Sequence, residues 1–211
     1  MKLYIYDHCP FCTRARMIFK LKGVPLQTHI FAEDDVETPT KLVGKKMVPI
    51  LEKEDGTHMS ESMDIVRYVD NLGANPILGA PSDPQIKEWH DAAWKSVLHL
   101  AIPRFVNADF PEIKTTAARK AFVERQIRNF GNLEELRARS AELATEVDLR
   151  LSNLAPLLED RQHVNTDDLL LFPLLRMLSI VAGIKYPPLV IDYMTRMQMM
   201  SGVSLHLDQA I

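Results

Sequence analysis

The 211 residues predict an α/β domain in the order βαβαββα followed by an all-helical domain. Three observations carry that prediction. Up to about residue 72, short β-rich runs alternate with short helical ones. Residues 73–84 read GANPILGAPSDP, too rich in Pro and Gly for the interior of an element. Beyond them strand signals nearly vanish. The expected division is a first domain over 1–72, a linker over 73–84 and a helical domain over 85–211.

The apolar-alternating run KLYIY predicts the first strand, and a helix follows from Pro10 to Lys22. VPLQTHIF is a second strand, Thr38 to Val43 a helical turn, MVPILE a third strand and THM a weak fourth. From Ser62 to Leu72 a helix places Ile65, Val69 and Leu72 on one face, ready to lie on the sheet. Asp55-Gly56, between the last two strands, is a hairpin signal because both residues tolerate positive φ, so those strands should be antiparallel neighbours. In the second half, Ile86, Trp89, Ala93, Val97 and Leu100 mark a helix that Pro103 bends or ends. A leucine-rich face from Leu133 to Leu158 predicts one long helix. In VNTDDLLLFPLLRMLSIVAGI, Asn165 and Asp168 have the spacing of a capping box. The helix they open is apolar on nearly every side and should be the buried centre of the bundle. Its Pro173 reads as a kink or an irregular second turn, which a buried helix tolerates if neighbours satisfy the freed carbonyl.

Composition narrows the function. A chain with 46% hydrophobic and 25% charged residues can bury a core, so disorder is excluded. A formal charge of −3 and a pI near 6.2 leave no basic excess for a phosphate backbone, so nucleic acid is not an expected partner. Charges interrupt the N-terminus too often for a signal peptide, and no apolar run approaches the roughly 18 to 20 residues of a spanning helix. The expected compartment is the reducing cytoplasm, where the only two cysteines are not a structural staple.

Those cysteines lie in Cys9-Pro10-Phe11-Cys12, where the first strand turns into the first helix. A thiol attacks a disulfide only as thiolate, and a helix N-terminus favours that anion through its free amides and dipole. Cys9, at the expected N-cap, becomes the attacker, and Cys12, one turn in, the resolver. Pro10 suits the first helical position, and Arg14 and Arg16 add positive charge. Zinc is a rival reading, but it needs four ligands, and His8 and His29 contribute only if brought together. An inert buried pair is another. A C-x-x-C inside a βαβ pattern is what a thioredoxin-like redox motif requires.

Two further features lie downstream. Pro49 interrupts the strand-like MVPIL, where proline removes a ladder donor. A cis Val48-Pro49 bond would leave the Val48 N–H and C=O free to pair with an extended, peptide-like ligand beside the cysteines. The alternative is an ordinary trans proline on an edge strand. In Ser60-Glu61-Ser62-Met63-Asp64, Ser62 at a helix start can hold a carboxylate, while Glu61 or Asp64 can pair with an ammonium group. The alternative is that Ser62 is only a helix cap.

The Cys9-Pro10-Phe11-Cys12, Val48-Pro49 and Glu61-Ser62 set, the helical second half with its Asn165 and Asp168 box, and stretches such as KLYIYDHCP, ESMDIV and LFPLLR together resemble the two-domain, glutathione-transferase-shaped glutaredoxins of bacteria. The resemblance spans the full length. It implies a thioredoxin-like domain that binds glutathione and a transferase-like helical domain packed on it. It further implies Cys9 as nucleophile, Cys12 as resolving thiol, Val48 beside Pro49 as backbone partner of the glutathione cysteinyl unit, and Glu61 with Ser62 as the γ-glutamyl site. Glutathione is then the reducing co-substrate, with no bound metal or prosthetic group. Glutathionylated or disulfide-bonded proteins are the expected partners of a monomer. One departure is that Phe11 stands where glutaredoxins commonly carry Tyr. A glutathione transferase or dehydroascorbate reductase on the same fold, and a non-enzymatic docking module, are the alternatives.

Overall fold

The computed structural model describes residues 1–73, 76–79, 81–159, 161 and 163–211. The first half follows the expected order, with β1 (Lys2–Ile5), α1 (Pro10–Leu21), β2 (Gln27–Ile30), α2 (Glu37–Val43), β3 (Ile50–Glu52), β4 (His58–Ser60) and α3 (Ser62–Asp70). The strands form one mixed sheet in the order β2-β1-β3-β4. β1 runs parallel to β2, and β3 is antiparallel to both β1 and β4. Because β1 lies inside the sheet, Leu3, Tyr4 and Ile5 are all buried, so its sequence alternation does not translate into a wet face. At the β3–β4 turn only Gly56 takes positive φ (78°), while the Asp55 carboxylate accepts the Thr57 N–H at 2.9 Å. Pro49 precedes β3 rather than interrupting it, because the strand begins at Ile50.

The second half contains α4 (Pro84–Phe105), α5 (Thr116–Phe130), α6 (Leu133–Ala138), α7 (Ser140–Leu154), α8 (Asp168–Leu178) and α9 (Pro188–Ser201), and no strand among the described residues. The expected linker at 73–84 includes residues 74, 75 and 80, which lie outside the described residues. Pro103 does not end α4, which runs on to Phe105. The long helix expected from Leu133 to Leu158 is broken at Arg139. There the Ser140 hydroxyl donates to the Arg137 carbonyl at 2.7 Å, and Pro156 later confines Ala155–Leu158 to a 3-10 turn. The capping box forms with its expected reciprocity. The Asn165 side chain accepts the Asp167 N–H at 2.9 Å, and Asp168 accepts the Asn165 N–H at 2.9 Å.

Helix α8 is the buried centre, with every residue from Leu171 to Leu178 inside. α1 packs against α3 and also against α8 and α9, so one hydrophobic core runs through both halves. Polar ties cross the same contact. Pro173 lacks the N–H that would bond the Leu169 carbonyl, and the buried Arg14 fills the gap, its Nε donating to that carbonyl at 2.8 Å. Arg176, also buried, donates to the Asp7 carbonyl at 2.5 Å, the Asp7 carboxylate at 3.1 Å and the Thr13 hydroxyl at 3.2 Å. These bonds satisfy buried guanidinium groups that would otherwise be strongly destabilising.

Candidate active site

β1 ends in the core and delivers the chain to α1, where Cys9 sits at the N-cap in extended conformation (φ −74°, ψ 123°) with Pro10 next. The Cys12 N–H points at the Cys9 sulfur at 3.4 Å. Both thiols are free; Cys9 is 8% exposed and Cys12 fully buried. The Cys9 thiol is lowered to about 7. The hydrogen bond from the Cys12 thiol is the largest influence, against the opposing effect of burial, and the charge of His8 and the N–H groups of Cys12 and Phe11 add to it. Cys12 is pushed the other way, first by burial and then by its bond to Cys9 and the negative charge there. Of the two arginines expected to add charge, Arg16 pairs instead with Asp7 at 2.5 Å. Arg14 turns inward, its guanidinium 5.6 Å from the Phe11 ring centre.

A groove of about 350 Å³ runs beside the cysteines, lined by Phe11, Arg14, Val48, Pro49, Glu61 and Ser62 among others. The Val48-Pro49 bond is cis. Ser62 is the first residue of α3 and not its cap; its buried hydroxyl faces the Arg14 guanidinium at 3.5 Å. The cap is Glu61, which makes no side-chain capping bond and holds φ at 72°, a strained value for a residue with a Cβ. Its exposed carboxylate lies 3.6 Å from Lys45. Asp64, the other acid considered for an ammonium group, pairs with Arg67 at 2.7 Å.

A larger cavity of about 480 Å³ opens on the other side of Cys9 and Phe11, between the sheet end and the helical half. Trp94, Ile102 and Phe130 give it an apolar wall; Lys46, Arg125 and Asn129 give it a polar edge. Arg125 grips the fully buried Glu33 through two bonds of 2.7 and 2.9 Å. Sequence reasoning missed these residues: α4 and α5 carry no local motif pointing to a site nearly a hundred residues away, and Lys46 is one of two lysines in the loop between α2 and β3. Among the described residues no group of His, Cys, Asp or Glu is arranged to hold a metal ion. No helix among them is long and apolar enough to cross a membrane.

Comparison with known proteins gives a consistent family. Residues 85–210 match the model of the glutaredoxin 2 C-terminal domain, and residues 8–72 that of the glutathione S-transferase N-terminal domain. The chain is 45% identical over 215 aligned residues to glutaredoxin 2 of Escherichia coli K12, covering all of both chains. It superposes with a TM-score of 0.96 on glutaredoxin 2 of Salmonella typhimurium, solved in complex with glutathione, at 42% identity and covering 100% of this chain and 98% of that one. A glutathione transferase from Phanerochaete chrysosporium shares the fold at a TM-score of 0.72 with 14% identity, covering 94% of this chain and 96% of its own. With a C-x-x-C at the first helix N-terminus and full-length likeness on both measures, the chain belongs to the glutaredoxin 2 family and is a glutathione-dependent oxidoreductase.

Proposed function

We propose that the oxidoreductase chemistry runs through Cys9 as attacking thiolate and Cys12 as resolving thiol, with glutathione seated in the groove formed by Val48, Pro49, Glu61 and Ser62. The observation that carries the reading is the Cys9 sulfur at the helix N-cap, accepting the Cys12 N–H and lowered to about 7. Cys9 thiolate attacks a glutathione mixed disulfide at the glutathione sulfur. The S–S bond breaks, the other thiol leaves as thiolate, and Cys9 is left glutathionylated. A second glutathione thiolate attacks that glutathione sulfur, releasing oxidised glutathione and the Cys9 thiolate. For a protein disulfide, Cys12 instead attacks Cys9 of the mixed disulfide and expels the reduced substrate. Two of the influences that raise Cys12, its bond to the Cys9 sulfur and the charge there, end once Cys9 is in a disulfide. The resolving thiol is therefore released for reaction at the step that needs it.

In this reading the Val48 backbone pairs with the cysteinyl unit of glutathione, and Glu61 and Ser62 hold its γ-glutamyl end, with Arg14 adding positive charge beside Ser62. The proposal extends to a division into domains over 1–72 and 85–211, a monomeric cytoplasmic protein, glutathionylated or disulfide-bonded proteins as substrates, and no nucleic-acid partner. The test is a glutathione-coupled assay on hydroxyethyl disulfide beside a chlorodinitrobenzene conjugation assay. Disulfide reduction lost in Cys9→Ser and kept on glutathionylated substrates in Cys12→Ser supports the assignment. Conjugation without disulfide reduction makes the chain a transferase instead.

A further inference from the structure

The mechanism above gives no role to the polar partner of His8, which enters Cys9 from the N-terminal side. The His8 ring sits among four aromatic rings: Tyr6 stacked at 5.8 Å, Phe105 at 5.5 Å, Phe110 at 5.7 Å and Phe122 edge-on at 5.1 Å. Into this box reaches Glu112, from the 3-10 turn Pro111–Ile113 of the helical half. Its Oε1 accepts the His8 backbone N–H at 3.0 Å and lies 2.5 Å from ring Nδ1. Glu112 is fully buried, and its Oε2 has no partner. A carboxylate buried with one oxygen unsatisfied is costly, and such a group needs a reason beyond packing. The Glu112 carbonyl also accepts the Glu33 N–H at 2.8 Å, so this one turn holds two segments of the N-terminal half that border the cavity at Cys9.

We propose that Glu112 is a positioning residue of the redox site: from the helical half it fixes the His8 imidazole, which adjoins Cys9 in sequence and lines the same cavity, so that the Cys9 thiolate is stabilised by a charge set across the contact between the two halves. The proposal rests on Cys9 being the attacking thiol. Two facts support it beyond the geometry. After the Cys12 hydrogen bond and the opposing effect of burial, the charge of His8 is the next influence on Cys9, and it lowers the thiol. Burial works to raise the Glu112 carboxyl, but its bonds to His8 hold it below the usual carboxylate range, so it is an anion whenever the ring is in place. The other titratable and charged groups facing this pair and Cys9 are Cys12 and Arg14 on α1, Tyr6 and Glu33 beside β1 and β2, Arg125 on α5, and Arg176 and His206 from the C-terminal part. Of these, His206 has no hydrogen-bond partner at Nε2 and is driven down to about 3, chiefly by burial, so it is neutral and brings no competing charge at working pH.

The test follows iodoacetamide alkylation of the fully reduced full-length protein over a pH series, with Cys9 and Cys12 read separately by peptide mass mapping. Glu112→Gln keeps the shape and an acceptor for the His8 N–H but removes the charge; His8→Phe keeps the ring in its aromatic box but removes the imidazole. Both should move the Cys9 midpoint upward and slow its alkylation below the midpoint by about threefold or more, within the range that a nearby charge commands. In the His8→Phe background, Glu112→Gln should no longer move the Cys9 midpoint upward, because that effect passes through His8; what is left is the carboxylate's own repulsion, which raises the neighbouring Cys12 thiol and acts in the opposite sense. A merely structural role lowers the unfolding temperature and leaves the midpoint alone. If Glu112→Gln does not fold, His8→Phe decides, and an unchanged Cys9 midpoint there overturns the proposal. The native protein offers a readout without substitution: the His8 ring nitrogen resonances should move as Cys9 titrates, and resonances indifferent to Cys9 also overturn it. A native Cys9 that alkylates like an ordinary thiol defeats the assignment of Cys9 itself. A low native midpoint that Glu112→Gln leaves in place defeats only the role of Glu112.

Discussion

Replacing Cys12 by alanine removes the largest single influence lowering Cys9, the hydrogen bond from the Cys12 thiol. At the ordinary value of 9.0, about one Cys9 in a hundred is thiolate at pH 7; at about 7, half is, so the site gains roughly fiftyfold in nucleophile. The Cys12 N–H at 3.4 Å and the charge of His8 survive the substitution, and burial, which raises the thiol, persists. Cys12→Ala should therefore lift the Cys9 midpoint by about one unit, which at neutral pH leaves several-fold less thiolate. Cys12→Ser places a hydroxyl donor where the thiol was and should hold the midpoint within about half a unit of native. Ultraviolet absorbance of the thiolate, cross-checked by alkylation, reads both variants. The direction follows from the acid: Cys9 gains charge as pH rises, so reactivity climbs through the midpoint and levels off above it. Equal midpoints in the alanine and serine variants refute the reasoning, because the lowering then comes from the helix end and His8 rather than from one thiol bonding the other.

Three more outcomes can be checked. Glu61→Gln combined with Ser62→Ala should raise the glutathione concentration for half-saturation by roughly tenfold while leaving the Cys9 midpoint in place, since charge-assisted hydrogen bonds contribute about 1.5 to 3 kcal/mol each; an unchanged saturation curve leaves these two residues with no ligand. Arg14→Leu should cost about 2 to 3 kcal/mol in urea unfolding, but about 1 kcal/mol less in a Pro173→Ala background, where residue 173 has its own N–H for the Leu169 carbonyl; additive costs argue against that pairing. Burial raises the Asp7 carboxyl, but Arg176 and Arg16 outweigh it and hold it below the usual range. The stability Asp7 confers is therefore complete above the ordinary carboxylate value and lost as pH falls through the lowered one, and Asp7→Asn should flatten that acid limb of the unfolding curve.

What could be read from the sequence was local. A cysteine before Pro10, a Gly at a tight turn and an Asn three residues before an Asp announce their geometry within one turn of chain, and Cys9, Gly56 and Asn165 take the positions such signals specify. The cis bond at Pro49 was anticipated because a proline stood where a ladder donor belonged, although the strand begins only after it. What could not be read depends on which distant segment arrives. Arg14 and Arg16 look alike in sequence, yet Asp7 captures one and the Leu169 carbonyl the other. The Leu133–Leu158 stripe reads as one helix because leucine spacing carries no mark of the Ser140 hydroxyl that competes at the break. Glu112 and Arg125 lie 104 and 92 residues from the partners they hold beside the cavity, and no periodicity reports such a meeting.

The proline in α8 and the arginine in α1 are each unfavourable alone. Pro173 strands a carbonyl in a helix with almost no access to water, and Arg14 carries a guanidinium into a site where burial lowers it to about 10. Together each removes the other's penalty, and the bond fixes Arg14 between Phe11 and Ser62, on the groove proposed for glutathione. The same logic holds one turn away. Arg176 of α8 binds the Asp7 carbonyl and the Thr13 hydroxyl, and Thr13 in turn donates to the Cys9 carbonyl at 3.1 Å. Asp7, Cys9 and Thr13 are thus tied, directly or through one side chain, to a helix of the other half. An isolated N-terminal half would lose the acceptor for Arg14 and, with Arg176, the donor to the Asp7 carbonyl and one of the two arginines that hold the Asp7 carboxylate. The helical half therefore does more than cover the proposed redox site: it supplies hydrogen bonds that hold the start of α1, where Cys9 sits at the N-cap.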